Sequence, residues 1–153
     1  DRVRFRIVGD ASYRSDVLGV QGEQWKAEAE VEALSDMDIG IMPLPDEVWS
    51  RGKCGLKGLQ FMALGVPVVM ENLGANREIV SDGTDGFLAS GHAEWVAKLS
   101  MLVESLELRD RLGSAGRRTV EARYSVASQK AVYSRVLREL ADAPGARPTE
   151  ERR

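Results

Sequence analysis

One cysteine, Cys54, and one histidine, His92, are all that 153 residues provide of either type. A lone thiol excludes an internal disulfide framework and suits a reducing compartment. A lone imidazole argues against a multi-histidine metal site and against histidine-based catalysis. No apolar run approaches the roughly 18 residues that a membrane-spanning helix needs. Positive charge is not in excess either: 21 Lys and Arg against 24 Asp and Glu leave −3, so there is no basic footprint for nucleic acid. What is present is ordinary, 43% apolar and 29% charged residues, over a length that supports the core of one domain.

The chain starts at Asp1 and enters the alternation Val3, Phe5, Ile7, Val8 almost at once. That start is expected of a fragment cut just before a strand, with no signal peptide. Val3–Val8 reads as a strand ending at Gly9-Asp10, and residues 10–16 as a turn. Val17–Val20 reads as a second short strand. Trp25, Ala29, Val31, Ala33 and Leu34 alternate with charges in the manner of an exposed amphipathic helix. Asp38–Leu44 (DIGIMPL) has the consecutive apolar residues of a strand covered on both faces.

A glycine- and proline-marked loop over 45–58 leads into a helix over Leu56–Leu64, with Leu56, Leu59, Met62 and Ala63 on its inner side and Gly65 as a left-handed cap. Pro67–Met70 and Phe87–Ala89 read as short buried strands. A short helix near Asn76–Val80 and turns at Asp82-Gly83 and Asp85-Gly86 lie between them. Eight of the fifteen glycines fall between Gly52 and Gly91, where the backbone must bend sharply or approach a ligand. Residues 93–105, 106–123 and 126–141 have helical periodicity. Trp95, Leu99 and Leu102 lie at core spacing, and Arg109, Arg111, Arg117 and Arg118 read as a solvated face. The end of the chain, 142–153, is expected to be a disordered tail. Strands alternating with helices imply an α/β fold with a mostly parallel sheet.

In such sheets ligands bind beyond the carboxyl ends of the strands. The longest loop of that kind follows DIGIMPL and ends at a helix start near Gly55. A helix start presents unpaired N–H groups and the positive end of the dipole, which together suit a phosphate. Lys57 stands in the first turn, where a cation opposes the dipole unless an anion is bound, and Arg51 and Lys53 precede it. From these residues alone Lys57 is equally a solvated surface lysine. Neither a Walker A loop nor a dinucleotide fingerprint is present.

The segment from Asp38 to about Gly91 resembles the carboxyl-terminal, donor-binding domain of GT-B glycosyltransferases, and within that fold the retaining group called family 4. Two runs carry the resemblance: Lys57 to Val69 (KGLQFMALGVPVV), and Glu78-Ile-Val-x-Asp-Gly-x-x-Gly-Phe-Leu. A weaker likeness extends from Val3 to roughly Tyr133. It implies a Rossmann-like, doubly wound sheet forming the C-terminal half of GT-B, here over residues 1–141. The first strand–helix unit would be missing, and with it the middle of the sheet.

It further implies that Gly55, Leu56 and Lys57 hold the donor diphosphate, that Gln60 binds the ribose, and that Gly52, Lys53 and Cys54 form the sugar loop. Trp25, by the base, and Glu78 are additional donor-site candidates. The family usually has a Glu, seven residues and a second Glu; here those places hold Gly52 and Gln60.

The implied substrate is a nucleotide-diphosphate sugar, with no cofactor and no metal, since cationic residues would stabilise the leaving diphosphate. The implied partner is an acceptor-binding N-terminal domain of the same polypeptide, with a glycan or a membrane-surface lipid as acceptor and no nucleic acid. The expected location is cytoplasmic, with peripheral attachment to the inner membrane face as an extension. The fragment alone is expected to be inactive. A nucleotide-sugar epimerase of the same fold and a non-catalytic nucleotide-sugar-binding module are the rival readings.

Overall fold

Strand β6 (Val68–Glu71) organises the protein, because its successive side chains point to opposite faces of the sheet. A computed structural model describes residues 3–143. In it β5 (Gly40–Met42), β6 and β7 (Phe87–Ala89) form one parallel sheet in the order β5-β6-β7, with Ile41 opposite Val69 and Val69 opposite Phe87.

Val68 and Met70 point to one face and pack with Phe61 and Met62 of α3 (Leu56–Ala63), Leu34 of α1 (Glu30–Ser35) and Ile79 of α4 (Asn76–Ile79). Val69 points to the other face and joins Phe87, Ala89, Leu102 of α5 (Gly91–Glu104) and Leu112 of α6 (Leu106–Arg123). Met62, Val69, Met70, Leu102 and Leu112 are fully buried. Each such side chain contributes about 1.5–3 kcal/mol relative to exposure. The layers come close because glycine permits it. A Cβ at Gly58 would overlap the Met70 thioether, and one at Gly40 the Phe61 ring. The last helix, α7 (Val126–Asp142), buries none of its side chains fully.

The α/β class with parallel strands agrees with expectation, as do β6, β7, α4 to α7 and the left-handed Gly65 (φ 76°). The N-terminal third is less regular than the periodicity suggests. Of Val3–Val8 only Val8 joins a strand, β1 (Val8–Gly9), which pairs in parallel with β4 (Glu23–Gln24); Val3 and Phe5 are exposed. The segment read as a turn contains β2 (Arg14–Ser15), antiparallel to β3 (Val20–Gln21). Val17, expected in that second strand, is 95% exposed. The helix from Trp25 begins as a 3-10 turn over Ala27–Ala29 and becomes α-helical only at Glu30.

Ile41 is also exposed, so β5 is not covered on both faces; it lies at the edge of its sheet among the described residues. On α3 the inner positions are Gly58, Phe61 and Met62, whereas Leu56 and Ala63 face solvent. The loop over 45–58 contains a further helix, α2 (Val48–Arg51). Of the expected tail, residues 144–153 lie outside the described residues.

Candidate functional site

The start of α3 lies beyond the carboxyl ends of β5 and β6, and the way it is built is specific. Gly55, the residue before the helix, has φ 70° and ψ 16°, a left-handed conformation that side chains disfavour. A Cβ there would overlap Ile79 and sit 3.1 Å from Asn76 Oδ1. Asn76 is itself buried and donates through Nδ2 to the Glu71 carbonyl at 2.9 Å, which ties the end of β6 to the start of α4. Asn76 therefore braces the end of β6 against the start of α4. No side chain caps α3, so the N–H groups of its first turn are left for solvent or a ligand.

Lys57, in that first turn, does not point freely into water. Its Nζ donates to Glu30 Oε1 at 2.8 Å. Trp25 Nε1 donates to the same oxygen at 3.0 Å, and Gln60 Nε2 donates to Glu30 Oε2 at 3.1 Å. Glu30 is the first residue of α1, and its side chain is only 21% exposed. Lys57 first, then Trp25, hold its carboxyl below the ordinary glutamate range. Lys57, Gln60 and Trp25, three residues singled out from sequence on two separate segments, are thus joined by a fourth that the sequence did not mark. Gln60 Oε1 is buried without a hydrogen-bond partner.

The proposed sugar loop is open. Gly52, Lys53 and Cys54 are exposed between α2 and α3. Gly52 and Lys53 line a shallow hollow of about 470 Å³ with Val48 and Trp49, and Trp49 is 78% exposed. Arg51, counted from sequence among the positive charges of this loop, is held by Asp46 at 2.8 Å, and that pair lowers the Asp46 carboxyl. Glu78 is exposed, and its backbone carbonyl accepts from Arg123 and Tyr124 at the end of α6. His92 is exposed at the start of α5.

The chain carries an Asp-x-Asp triplet, Asp36-Met37-Asp38. It precedes β5, at the amino end of the strand and away from the α3 start, and Asp36 lies 3.9 Å from Arg6. Among the described residues no three potential metal-ligating side chains come together, and no helix is long and apolar enough to cross a membrane.

The sequence profile of the family "Glycosyl transferases group 1" matches residues 1–105. The chain belongs to this family. It is 33% identical over 78 residues to a D-inositol 3-phosphate glycosyltransferase of Paenarthrobacter aurescens, covering 50% of this chain and 18% of that protein. The fold matches HepE from Anabaena, solved with UDP and glucose, at TM-score 0.68 and 18% identity over 79% of this chain and 32% of that one. It also matches the C-terminal domain of a group 1 glycosyl transferase, LpcC, from Francisella tularensis, at TM-score 0.60 and 23% identity over 72% and 57% of the two chains. The fold is therefore that of the GT-B transferases, and the chain corresponds to their C-terminal, Rossmann-like part. It spans less than a fifth of the curated relative and about a third of HepE.

Proposed function

We propose that the chain is the donor-binding half of a retaining glycosyltransferase that transfers a sugar from a nucleotide-diphosphate sugar to an acceptor held elsewhere in the complete protein. The observation that carries this reading is Lys57 beside the uncapped start of α3, at the ligand-binding end of the sheet. Backbone N–H groups over Gly55–Lys57 and the Lys57 ammonium would receive the diphosphate. Negative charge grows on that group as the glycosidic bond breaks, so donors fixed in advance stabilise the transition state more than the ground state. Cationic and backbone donors of this kind need no metal. Gln60 and its neighbours face the ribose on this reading, and the exposed loop Gly52–Cys54 faces the sugar. HepE, solved with UDP and glucose, supports the ligand class.

The isomerase alternative needs a carboxyl able to donate and accept a proton beside the sugar. The loop before α3 offers Asp46 and Glu47; Arg51 pairs with Asp46 and lowers its carboxyl, and Glu47 accepts from the Ser50 hydroxyl. The acceptor site belongs to the part of the relatives that this chain does not span, so residues 1–153 alone are expected to transfer nothing. Incubating the complete protein with a nucleotide-diphosphate sugar, with and without a glycan or lipid acceptor, tests the reading. A glycosylated acceptor with the donor's anomeric configuration supports it. Epimerised donor without acceptor, or donor binding with no product, overturns it.

A further inference from the structure

We propose that Glu30 is the carboxylate that reads the vicinal hydroxyl pair of the donor nucleotide, with Gln60 as its neutral partner. The inference rests on the donor-site reading above and deepens it by naming a residue that neither the motifs nor the comparisons assign.

The bonding at Glu30 is asymmetric. Oε1 receives two donors, Lys57 Nζ and Trp25 Nε1, whereas Oε2 receives only the Gln60 amide. An ionised carboxylate offers about four acceptor sites, so Oε2 keeps capacity on the side of Gln60. The orientation of Gln60 follows from Glu30. Its Nε2 must face the carboxylate, because the reverse orientation would set oxygen against oxygen. Its Oε1 is thereby turned away and left buried without a donor. The pair therefore presents one acceptor with spare capacity, one acceptor in need, and a donor between them. Two adjacent O–H groups complement that set, with the Gln60 side chain shifting to expose its oxygen.

A cationic ligand is disfavoured by Lys57 at 2.8 Å from the same carboxylate. A neutral diol attached to an anion fits both charges, the diol at Glu30 and the anion at Lys57 and the start of α3.

The arrangement also gives a physical reason for the residue at 60. A glutamate there would hold two carboxylates at about the 3.1 Å that now separates Gln60 from Glu30, and like charges so close cannot both remain ionised. With Glu30 ionised, a neutral residue at 60 avoids that repulsion and donates a hydrogen bond in its place.

The test is calorimetric titration of the complete protein with UDP and with 2′,3′-dideoxy-UDP. The wild type is expected to prefer UDP by roughly ten- to hundredfold, the value of hydrogen bonds to a charged group. The isosteric change Glu30→Gln is expected to erase most of that preference, and Lys57→Ala to weaken both ligands alike. The exchange Glu30→Gln with Gln60→Glu moves the carboxylate across the contact and is expected to restore discrimination.

Undiminished preference in Glu30→Gln overturns the inference. Tighter UDP binding by Glu30→Gln also overturns it, because Glu30 would then be a plug competing with phosphate for Lys57. If the wild type binds UDP without discriminating against the dideoxy ligand, the inference fails and the donor-site reading stands. If neither UDP, ADP nor GDP binds, both fail.

Discussion

Lys57 and Glu30 are 27 residues apart in the chain, yet Nζ and Oε1 meet at 2.8 Å. The contact joins the first turn of α3 to the first residue of α1, and so couples the start of the anion-binding helix to the segment carrying Trp25. With the Lys57 side chain half exposed, solvent screens the pair, which fixes the direction of a cation more than it adds stability. A cation already oriented loses less freedom when an anion arrives.

Removing the cation should therefore affect binding much more than folding. Lys57→Ala is expected to weaken nucleoside-diphosphate binding by the complete protein about tenfold or more, the scale of one charge-assisted hydrogen bond, while leaving Tm nearly unchanged. Titration at two salt concentrations checks the electrostatic origin: raising salt should weaken the wild type more than the variant. Unchanged affinity in Lys57→Ala removes the phosphate assignment.

Acid should break the contact in a defined window. The folded-state pKa of Glu30 is depressed, by Lys57 first and Trp25 second. Any stability that follows from this is fully present above the unfolded value, about 4.3, and is lost as pH falls through the lower, folded value. The Tm difference between wild type and Glu30→Gln is expected to be flat from neutral pH to about pH 5 and to vanish only below the ordinary glutamate range. A difference that changes between pH 6 and 8 would contradict the assignment.

The helices show where side chains chosen by pattern go astray. The run of arginines in α6 was read as one solvated face, but Arg109 Nη1 donates to the Leu102 carbonyl at 2.6 Å and also reaches Val103. It thereby satisfies carbonyls at the end of α5 that lack helical partners. Arg117 instead pairs with Glu121 one turn along α6. Arg109→Ala is expected to cost about 1 kcal/mol in chemical denaturation and Arg117→Ala less than about 0.5 kcal/mol.

Legibility followed the range of the interactions. α5, α6 and α7 were readable because helical periodicity is local and few breakers interrupt it. β7 was readable because Gly86 and Gly91 bracket four residues, the first three of which form the strand. Val3–Val8 has the right alternation, but a strand exists only where it is paired, and pairing reaches no further than Val8–Gly9. Lys57 and Gln60 stood out through their motif.

Glu30 did not stand out, because in the sequence it is one carboxylate among several on an amphipathic stretch. Its meaning comes from contacts 27 and 30 residues away, which no local pattern encodes. Gln60 was read as a departure from an acidic pair. The geometry relates that departure to a carboxylate on another element.

Gly52, which opens the proposed sugar loop, and Gly55, which follows it, make opposite demands. Gly55 has φ 70°, and a Cβ there would overlap Ile79, so Gly55→Ala faces both backbone strain and a clash in the core. The strain alone costs about 1–2 kcal/mol. Gly52 ends α2 with φ −84° and ψ −3°, which any residue adopts, and the nearest atom to an added Cβ is the Trp49 carbonyl oxygen at 3.6 Å. Gly52→Ala is therefore expected to raise stability by about 0.4–1 kcal/mol by restricting the unfolded chain. Denaturant midpoints of the two variants should move in opposite directions. If Gly52→Ala proved as destabilising as Gly55→Ala, the loop would be more tightly packed than its exposure shows. The hollow beside Trp49 would then be too constrained to receive a sugar.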